Sequence, residues 1–292
     1  MCLKNPSGCA RMAAVDGQTS GIAALFDRVA DTYDGAGVPW FQPIARALVG
    51  EVGPRPGQRA LDLGCGRGAA LFALADAVGP DGRVTGVDVS RLMADAARAE
   101  VHARGLSNVD IRVMDAGRPD LPGGAFDVAV ASMMLFFLPD PVAALRSWRD
   151  LLAPGGRLGV STQGSRDPGW RLLDEIFLPF LPPVMIEARH GSVARRLATA
   201  EGVHGLLTEA GYGSIRTSIV DMEAVLDGVD QWRAWTRSHA ARSMWDAVPE
   251  AELPRLLATA HEHLEGLRGT DGKVRLSQRI LLTVAEPAVT LA

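Results

Sequence analysis

Short apolar segments alternate with helical patterns through the middle of this sequence. Strands that alternate with helices in this way are typical of a parallel sheet covered on both faces. The strand segments are almost wholly apolar, as burial on both faces requires. We therefore predict an α/β fold with a doubly wound, mostly parallel sheet and helices on both faces. The predicted strands occupy residues 59–63, 83–88, 109–114, 126–132 and 157–162.

The segments outside this alternation predict additional helices around one sheet. Residues 1–20 show no hydrophobic period, and we expect a flexible N-terminal segment there. Residues 21–58 contain two helical patterns, and residues 59–292 form the main domain. Within that domain, stretches rich in Pro and Trp at about 164–200 and 222–272 predict inserted helices that form a cap.

Composition excludes several classes of protein. Hydrophobic residues make up 47% of the 292 residues and charged residues 22%, which is typical of a soluble globular protein. The net charge is −4 and there is no basic run, so we expect no nucleic-acid partner. No apolar stretch reaches the roughly 18 residues of a membrane span. Cys2, Cys9 and Cys65 have no metal-binding spacing, and the absence of a signal-like N-terminus favours the cytoplasm.

A glycine-rich turn follows the first predicted strand, in the run Asp62-Leu63-Gly64-Cys65-Gly66-Arg67-Gly68. Such a turn lets a ligand approach the backbone and directs helix N–H groups at that ligand. The next two strands end in Asp88 and Asp115. The Asp88 carboxylate can accept hydrogen bonds from both hydroxyls of a ribose. The Asp115 carboxylate can accept a hydrogen bond from an exocyclic amine of a base. Together they predict a nucleotide-type ligand at the carboxyl ends of the strands.

The same turn also satisfies a loose dinucleotide pattern, with Gly64 and Gly66 followed by Ala69. Asp62 argues against that reading, because a carboxylate there repels a pyrophosphate but attracts an amino group. The two tyrosines, Tyr33 and Tyr212, are not followed by lysine at helical spacing, so partners for hydride transfer are scarce. A nicotinamide-dependent dehydrogenase is therefore the less favoured alternative.

Several motifs in order resemble those of class I S-adenosylmethionine-dependent methyltransferases. The resemblance covers roughly residues 26–162 and is greatest to the ubiquinone- and menaquinone-biosynthesis-like branch, which includes many small-molecule methyltransferases of secondary metabolism. It implies a Rossmann-like fold and S-adenosyl-L-methionine as cofactor. Besides the glycine-rich run, the matching motifs are Gly86-Val87-Asp88, Asp115-Ala116, Phe126-Asp127-Val128 and Leu152-Ala153-Pro154-Gly155-Gly156-Arg157.

The resemblance also implies a cofactor site, flanked by the helices of residues 21–58. Gly64 and Gly66 would pass close to the methionine part of the cofactor, with Asp62 near its amino group. Asp88 would hold the ribose hydroxyls and Asp115 the adenine amine. The full predicted set is Tyr33, Asp62, Gly64, Cys65, Gly66, Asp88, Val89, Met93, Asp115, Ala116 and Ser132.

The segment after the fourth strand, residues 132–138, is apolar where the family often has a polar residue or histidine. This difference favours an apolar acceptor pocket, and only His190 and His239 are candidates for a general base. A phenol, enol or amine acceptor would need a base, whereas an alkene would need stabilisation of a carbocation, so both chemistries stay open. The predicted lining residues are Met134, Phe136, Phe137, Trp170, Phe177 and Trp235.

The sequence therefore predicts methyl transfer to the C, O or N atom of a small, largely apolar metabolite in natural-product biosynthesis, such as that of antibiotics. The alternative is a non-catalytic or pericyclase-like protein that only holds S-adenosylmethionine. No metal and no membrane partner is expected. The identity of the acceptor, the methylated atom, the use of a general base and the formation of a homo-oligomer stay open.

Overall fold

The computed structural model describes residues 6–288, in which a seven-stranded sheet has the order β3-β2-β1-β4-β5-β7-β6. Strands β1 to β5 pair in parallel, and β7 is antiparallel to both β5 and β6. This arrangement confirms the predicted doubly wound, mostly parallel sheet. The strands are β1 (Arg59–Leu63), β2 (Arg83–Asp88), β3 (Val109–Val113), β4 (Phe126–Ser132), β5 (Leu152–Arg166), β6 (Tyr212–Leu226) and β7 (Val274–Pro287).

Helices cover both faces of the sheet, and their ends follow local sequence signals. Ser90 caps one helix by accepting from the Met93 N–H, and Asp140 caps another by accepting from the Ala143 N–H. The helices are α1 (Pro6–Val29), α2 (Phe41–Val52), α3 (Ala69–Val78), α4 (Arg91–Ala103), α5 (Pro141–Leu151), α6 (Pro168–Glu175), α7 (Pro183–His190), α8 (Ser192–Leu197), α9 (Ala200–Glu209), α10 (Val229–Arg237), α11 (Arg242–Asp246) and α12 (Leu253–Gly266). None of the described helices is long and apolar enough to span a bilayer.

The N-terminal prediction needs a correction. We expected residues 1–20 to be a flexible segment, but α1 begins at Pro6 and continues without interruption to Val29. Residues 1–5 lie outside the described part of the chain. The physical reason is composition: several alanines and Met12 within residues 6–20 have high helix propensity, although they show no amphipathic period.

The cap consists of two groups of helices, α6–α8 between β5 and β6, and α10–α12 between β6 and β7. The sheet takes a few residues that we assigned to these insertions, because β5 continues to Arg166 and β6 to Leu226. Residues along the end of β6 alternate between buried and exposed, as one-sided packing of a strand requires. Large aromatic side chains hold the cap together: Phe177, Trp232 and Trp245 are buried against one another.

Candidate functional site

The turn after β1 has the backbone geometry that its glycines predicted. Gly64, Gly66 and Gly68 have φ values of 73°, 51° and 96°, in the left-handed region that favours glycine. The N–H groups of Gly64 and Cys65 donate to the Val87 carbonyl of β2 at 2.8 and 2.9 Å. A Cβ atom at Gly66 would have no neighbour within 4 Å. The backbone of the turn at Gly66 therefore faces open space.

Asp88, at the end of β2, is joined directly to this turn. One carboxylate oxygen, Oδ2, accepts the Gly66 N–H at 2.8 Å, and the other, Oδ1, accepts the Ser90 N–H at 2.8 Å. Burial raises the pKa of Asp88, while these backbone hydrogen bonds oppose the shift. Because a carboxylate oxygen can accept more than one hydrogen bond, both oxygens can still accept hydroxyl groups of a ligand.

Asp62 is buried beneath the turn, and its Oδ2 atom has no hydrogen-bond partner within the described residues. Burial raises the pKa of its carboxyl to about 8, and the negative charge of Asp88 adds to this shift. An unpartnered buried carboxylate oxygen is costly, and a positively charged amine would satisfy it. The side chain therefore fits the amino group of a ligand that lies against the turn.

The next strand end supplies the third carboxylate. Asp115 is half-buried, and its Oδ1 atom accepts the Gly117 N–H at 2.8 Å. The adjacent Ala116 is buried, and its carbonyl accepts the indole N–H of Trp148 at 2.6 Å. The structure thus brings the carboxylates that end β2 and β3 to the same edge of the sheet as the turn, as the sequence predicted.

Helix α1 is fixed to this edge by residues that the sequence analysis missed. The Asp27 carboxylate accepts the Ser90 hydroxyl at 2.5 Å and the Leu92 N–H at 3.1 Å, at the start of α4. The Arg67 guanidinium donates to the Ala30 carbonyl at 2.9 Å. Asp27 carries no motif of its own, because its role depends on a contact with a distant part of the chain.

Four predicted cofactor residues lie around the turn in supporting positions. Met93 is buried beside Val29 of α1, and Val89 is half-buried. The Cys65 side chain is buried, and its thiol would lie 3.0 Å from a Cβ atom at Gly86, so it packs against β2. The Ser132 hydroxyl lies 3.3 Å from that of Ser161, at the end of β4.

The exit of β4 passes directly over the turn. Met133 has a φ of 54°, which is uncommon outside glycine, and its N–H donates to the Ser161 hydroxyl at 2.9 Å. This bend brings Met134 against the turn, so a Cβ atom at Gly64 would lie 3.1 Å from its side chain. Met134 therefore covers the turn at Gly64, and its role as a lining residue stays a prediction.

Aromatic rings continue from this exit towards α1. The Phe136 and Phe137 rings have centroids 4.7 Å apart, and Phe137 meets Phe26 of α1 edge to face at 5.2 Å. Phe26 in turn lies 6.4 Å from Tyr33. Burial raises the pKa of Tyr33 above its usual range, and the charges of Asp34 and Asp88 add to this shift, so its phenol is neutral. Tyr33 therefore lies within the electrostatic reach of the site's carboxylates.

The same row of rings reaches the cap. Phe41 stacks on Tyr33 with centroids 5.0 Å apart and meets His239 at 5.6 Å. His239 lies 5.3 Å from Trp235 of α10. We name this continuous series the ring row; its members are Phe136, Phe137, Phe26, Tyr33, Phe41, His239 and Trp235.

Three other predicted residues lie away from the ring row or only at its edge. His190 ends α7 and is exposed, so the structure does not support our suggestion that it acts as a general base. Phe177 is fully buried among cap tryptophans, which corresponds to packing rather than pocket lining. Trp170 donates its indole N–H to the Ser277 carbonyl at 3.0 Å and packs 5.7 Å from Trp235.

The chain is similar to known methyltransferases. A family model described as "Methyltransferase domain" matches residues 60–156. The nocamycin O-methyltransferase of Saccharothrix syringae is 37% identical over 83% of this chain and 89% of its own length. The aklanonic acid methyltransferase of Streptomyces sp. strain C5 is 38% identical over 68% of this chain and 94% of its own length.

Solved structures share the fold at low identity. The YcgJ protein of Bacillus subtilis superposes with a TM-score of 0.57 at 15% identity, covering 84% of this chain and 99% of its own. A geranyl diphosphate methyltransferase gives a TM-score of 0.52 at 15% identity and covers 85% of each chain. These similarities confirm the Rossmann-like arrangement of the sheet and helices.

Proposed function

Because the chain belongs to the class I S-adenosylmethionine-dependent methyltransferases, we propose that it methylates an oxygen atom of a small metabolite with an apolar body. Its cofactor is S-adenosylmethionine, and methylation of a secondary metabolite is the reaction shared with its relatives.

The cofactor supplies a methyl group already activated by the positive charge on sulfur. In our assignment, Asp62 accepts from the cofactor's ammonium group with the carboxylate oxygen that lacks a partner. Asp88 holds the ribose hydroxyls while it keeps the turn in place through Gly66, and Asp115 accepts from the adenine amine. The remaining predicted cofactor residues are assigned to the walls of the same site.

We also propose that the chain is divided into N-terminal helices that flank the cofactor and a main domain with cap insertions. The helices of residues 21–58 flank the cofactor, and hydrogen bonds from Ser90 and Leu92 to Asp27 support this arrangement. The cap insertions would cover the acceptor, while residues 59–292 as a whole form the methyltransferase domain. A homo-oligomer and a cytoplasmic location stay predictions from the sequence.

The single observation that carries the acceptor assignment is the ring row. It begins beside Met134, which covers the glycine-rich turn, and ends in the cap at Trp235. A planar apolar molecule placed along these rings would have one edge near the transferred methyl group. Aromatic surfaces bury such a molecule favourably and exclude water from the reacting atoms.

This geometry assigns the chain mainly a positioning role. The sulfonium needs no further activation, so the enzyme must hold the acceptor atom, the methyl carbon and sulfur in line. Exclusion of water by the ring row strengthens the attraction between the acceptor and the positive charge. Oxygen is favoured as the acceptor atom because the nocamycin relative is named as an O-methyltransferase and matches most of the chain.

A transfer assay with acceptors that share one apolar body tests the proposal. The full chain is incubated with deuteriomethyl-labelled S-adenosylmethionine and, separately, naphthoic acid, naphthol, naphthylamine or vinylnaphthalene. Mass spectrometry then locates the label. We expect labelled methyl esters or ethers from the oxygen acceptors only. Label on nitrogen or carbon instead would contradict the choice of oxygen, and a Phe136→Ser variant should reduce transfer without weakening S-adenosylhomocysteine binding.

A further inference from the structure

Met133 has a backbone conformation that its own residue type disfavours. Its φ of 54° lies in the left-handed region, which costs energy for any residue with a Cβ atom. Such a conformation persists only where the surrounding structure holds it, and positions of this kind cluster at functional sites. Met133 is buried at the exit of β4, directly before the residue that covers the glycine-rich turn. The contacts that hold Met133 therefore affect the geometry of the site.

A side chain of β5 holds this bend. Ser132 and Ser161 form the last residue pair between β4 and β5. Beyond this pair, the Met133 N–H donates to the Ser161 hydroxyl at 2.9 Å. The Ser161 side chain thus supplies the acceptor at the point where the chain leaves the sheet. Without it, the buried Met133 N–H would lose its partner in the only conformation that brings Met134 to the turn.

Ser161 is well placed to fix the bend. It is fully buried within β5 and is paired with Ser132 of β4 on one side and Leu282 of β7 on the other. Its hydroxyl also lies 3.3 Å from that of Ser132. Because the Met133 N–H can only donate, Ser161 accepts with a lone pair and keeps its own proton for Ser132. This position therefore uses a hydroxyl group both as acceptor and as donor.

The bend at Met133 determines where the next side chain lies. Three side-chain atoms of Met134 would lie 3.1–3.2 Å from a Cβ atom at Gly64, so Met134 packs against the turn assigned to the methionine part of the cofactor. In extended backbone, successive side chains point to opposite faces. Relaxation of Met133 towards an extended conformation would therefore turn Met134 away from Gly64.

From the hydrogen bond between Ser161 and this bend, we infer that Ser161 is a positioning residue for methyl transfer. It acts through Met133 to hold the Met134 side chain against Gly64, where Met134 confines the cofactor and keeps its methyl group in line with the acceptor. Ser161 is fully buried and acts without touching either ligand. This inference rests on the proposed function, because it requires the cofactor to lie on the turn.

Methyl NMR of the full chain tests whether Ser161 determines the position of Met134. The methionine ε-methyl groups carry an isotopic label, and Met134→Leu identifies the Met134 signal. We expect S-adenosylhomocysteine to shift this signal in wild type. In Ser161→Ala the signal should move towards that of an exposed, mobile methionine and respond much less to S-adenosylhomocysteine. This measurement needs no acceptor.

Two conservative variants at Ser161 and one neighbour serve as controls. Ser161→Thr keeps the hydroxyl and should retain the wild-type Met134 signal. Ser161→Cys fills the same space with a weak acceptor, so it should show the change seen with alanine and replaces that variant if alanine prevents folding. Thr162→Val removes the hydroxyl of the next residue, which is equally buried and has no hydrogen-bond partner within the described residues. It should leave the Met134 signal unchanged.

Kinetics separate a positioning role from a merely structural one. With naphthoic acid or naphthol as acceptor, Ser161→Ala should lower kcat by at least about tenfold while the affinity for S-adenosylhomocysteine changes little. Thr162→Val should transfer methyl groups at the wild-type rate. If Ser161 acts through Met134, then Met134→Ala and the double variant Ser161→Ala/Met134→Ala should have the same kcat. Independent effects would instead multiply in the double variant.

A Met134 signal that is the same in wild type and in folded Ser161→Ala or Ser161→Cys would overturn the inference, as would losses of kcat that multiply in the double variant. Equal losses in Ser161→Ala and Ser161→Thr would also overturn it, because the hydroxyl would then have no role. A failure of the proposed function differs from these results: wild type would then not bind S-adenosylhomocysteine, or the label would appear on nitrogen or carbon.

Discussion

The Asp88 carboxylate accepts the Gly66 N–H at 2.8 Å, so the end of β2 holds the turn that follows β1. The same carboxylate is the one assigned to the cofactor ribose. Its structural and binding roles are therefore linked, because any loss of Asp88 also frees a backbone N–H group at the centre of the site. This link determines how variants of the site should be designed.

Replacing Asp88 should weaken cofactor binding strongly. Hydrogen bonds to a charged group contribute about 1.5–3 kcal/mol each, so Asp88→Asn should lower the affinity for S-adenosylhomocysteine by at least about tenfold. Asparagine preserves the size of the side chain and one acceptor oxygen. Asp81→Asn, at an exposed aspartate just before β2, is the control and should bind normally. Normal affinity in a folded Asp88→Asn protein would refute the ribose assignment.

Gly66→Ala should separate backbone strain from loss of ligand space. Gly66 and Gly105 both have positive φ, of 51° and 66°, and a Cβ atom at either would meet no atom within 4 Å. Alanine at either position should therefore cost a similar amount of stability, about 1 kcal/mol. Only Gly66→Ala should reduce S-adenosylhomocysteine affinity, because its methyl group enters the space assigned to the cofactor. Comparable affinity in the two variants would place the ligand elsewhere.

Cofactor binding should be linked to the proton on Asp62. Its pKa is raised to about 8 in the free protein, so below that pH the carboxyl is mostly neutral, and an ammonium group would ionise it. Binding between pH 6 and 7.5 should release a proton, with affinity rising by up to about tenfold per pH unit. Calorimetry in buffers of different ionisation enthalpy measures this release. Asp62→Asn should show none, and equal release in wild type and variant would contradict the assignment.

The raised pKa of Asp62 should also make the stability of the free protein depend on pH. A carboxyl whose pKa is raised on folding stabilises the fold below its unfolded pKa of 3.8, and this stabilisation is lost as the pH rises through about 8. Wild type should therefore lose stability relative to Asp62→Asn between those pH values. Urea denaturation at several pH values gives the difference, and parallel curves would show that Asp62 ionises normally.

His239 should have the opposite effect to Asp62 on the pH dependence of stability. Its pKa is lowered from 6.5 to about 4, so between those values the unfolded chain binds a proton that the folded chain does not. Stability should therefore fall as the pH drops from 6.5 to 4, by up to about 3 kcal/mol. His239→Gln should lack this part of the pH dependence. An unchanged slope in the variant would mean that His239 is protonated normally.

The strands and the cofactor edge could be predicted from the sequence because their signals are local. The end of β1 at Leu63 and the end of β2 at Asp88 agree with the prediction, since apolar runs and glycines act over a few neighbours. The helix over residues 6–20 was missed, because its high propensity comes without the amphipathic period that we used. The structure also extends β5 and β6 into residues that we assigned to the insertions, because these extensions pair with β7.

The cap end of the site could not be predicted in the same way. His239 and Trp235 were named as candidates, but Arg189, whose positive charge lowers the pKa of His239, carries no motif of its own. The direction of the His239 proton depends on a backbone N–H two residues further on, at Ala241.

The most direct test of the central claim is titration of the full chain with S-adenosylhomocysteine, beside NADH, for wild type and Asp88→Asn. The account predicts one S-adenosylhomocysteine site per chain, at least about tenfold weaker binding in the variant, and no measurable binding of NADH. Absence of S-adenosylhomocysteine binding, tight NADH binding, or equal affinity in the two proteins would contradict the claim that this turn and its carboxylates hold the methyl donor.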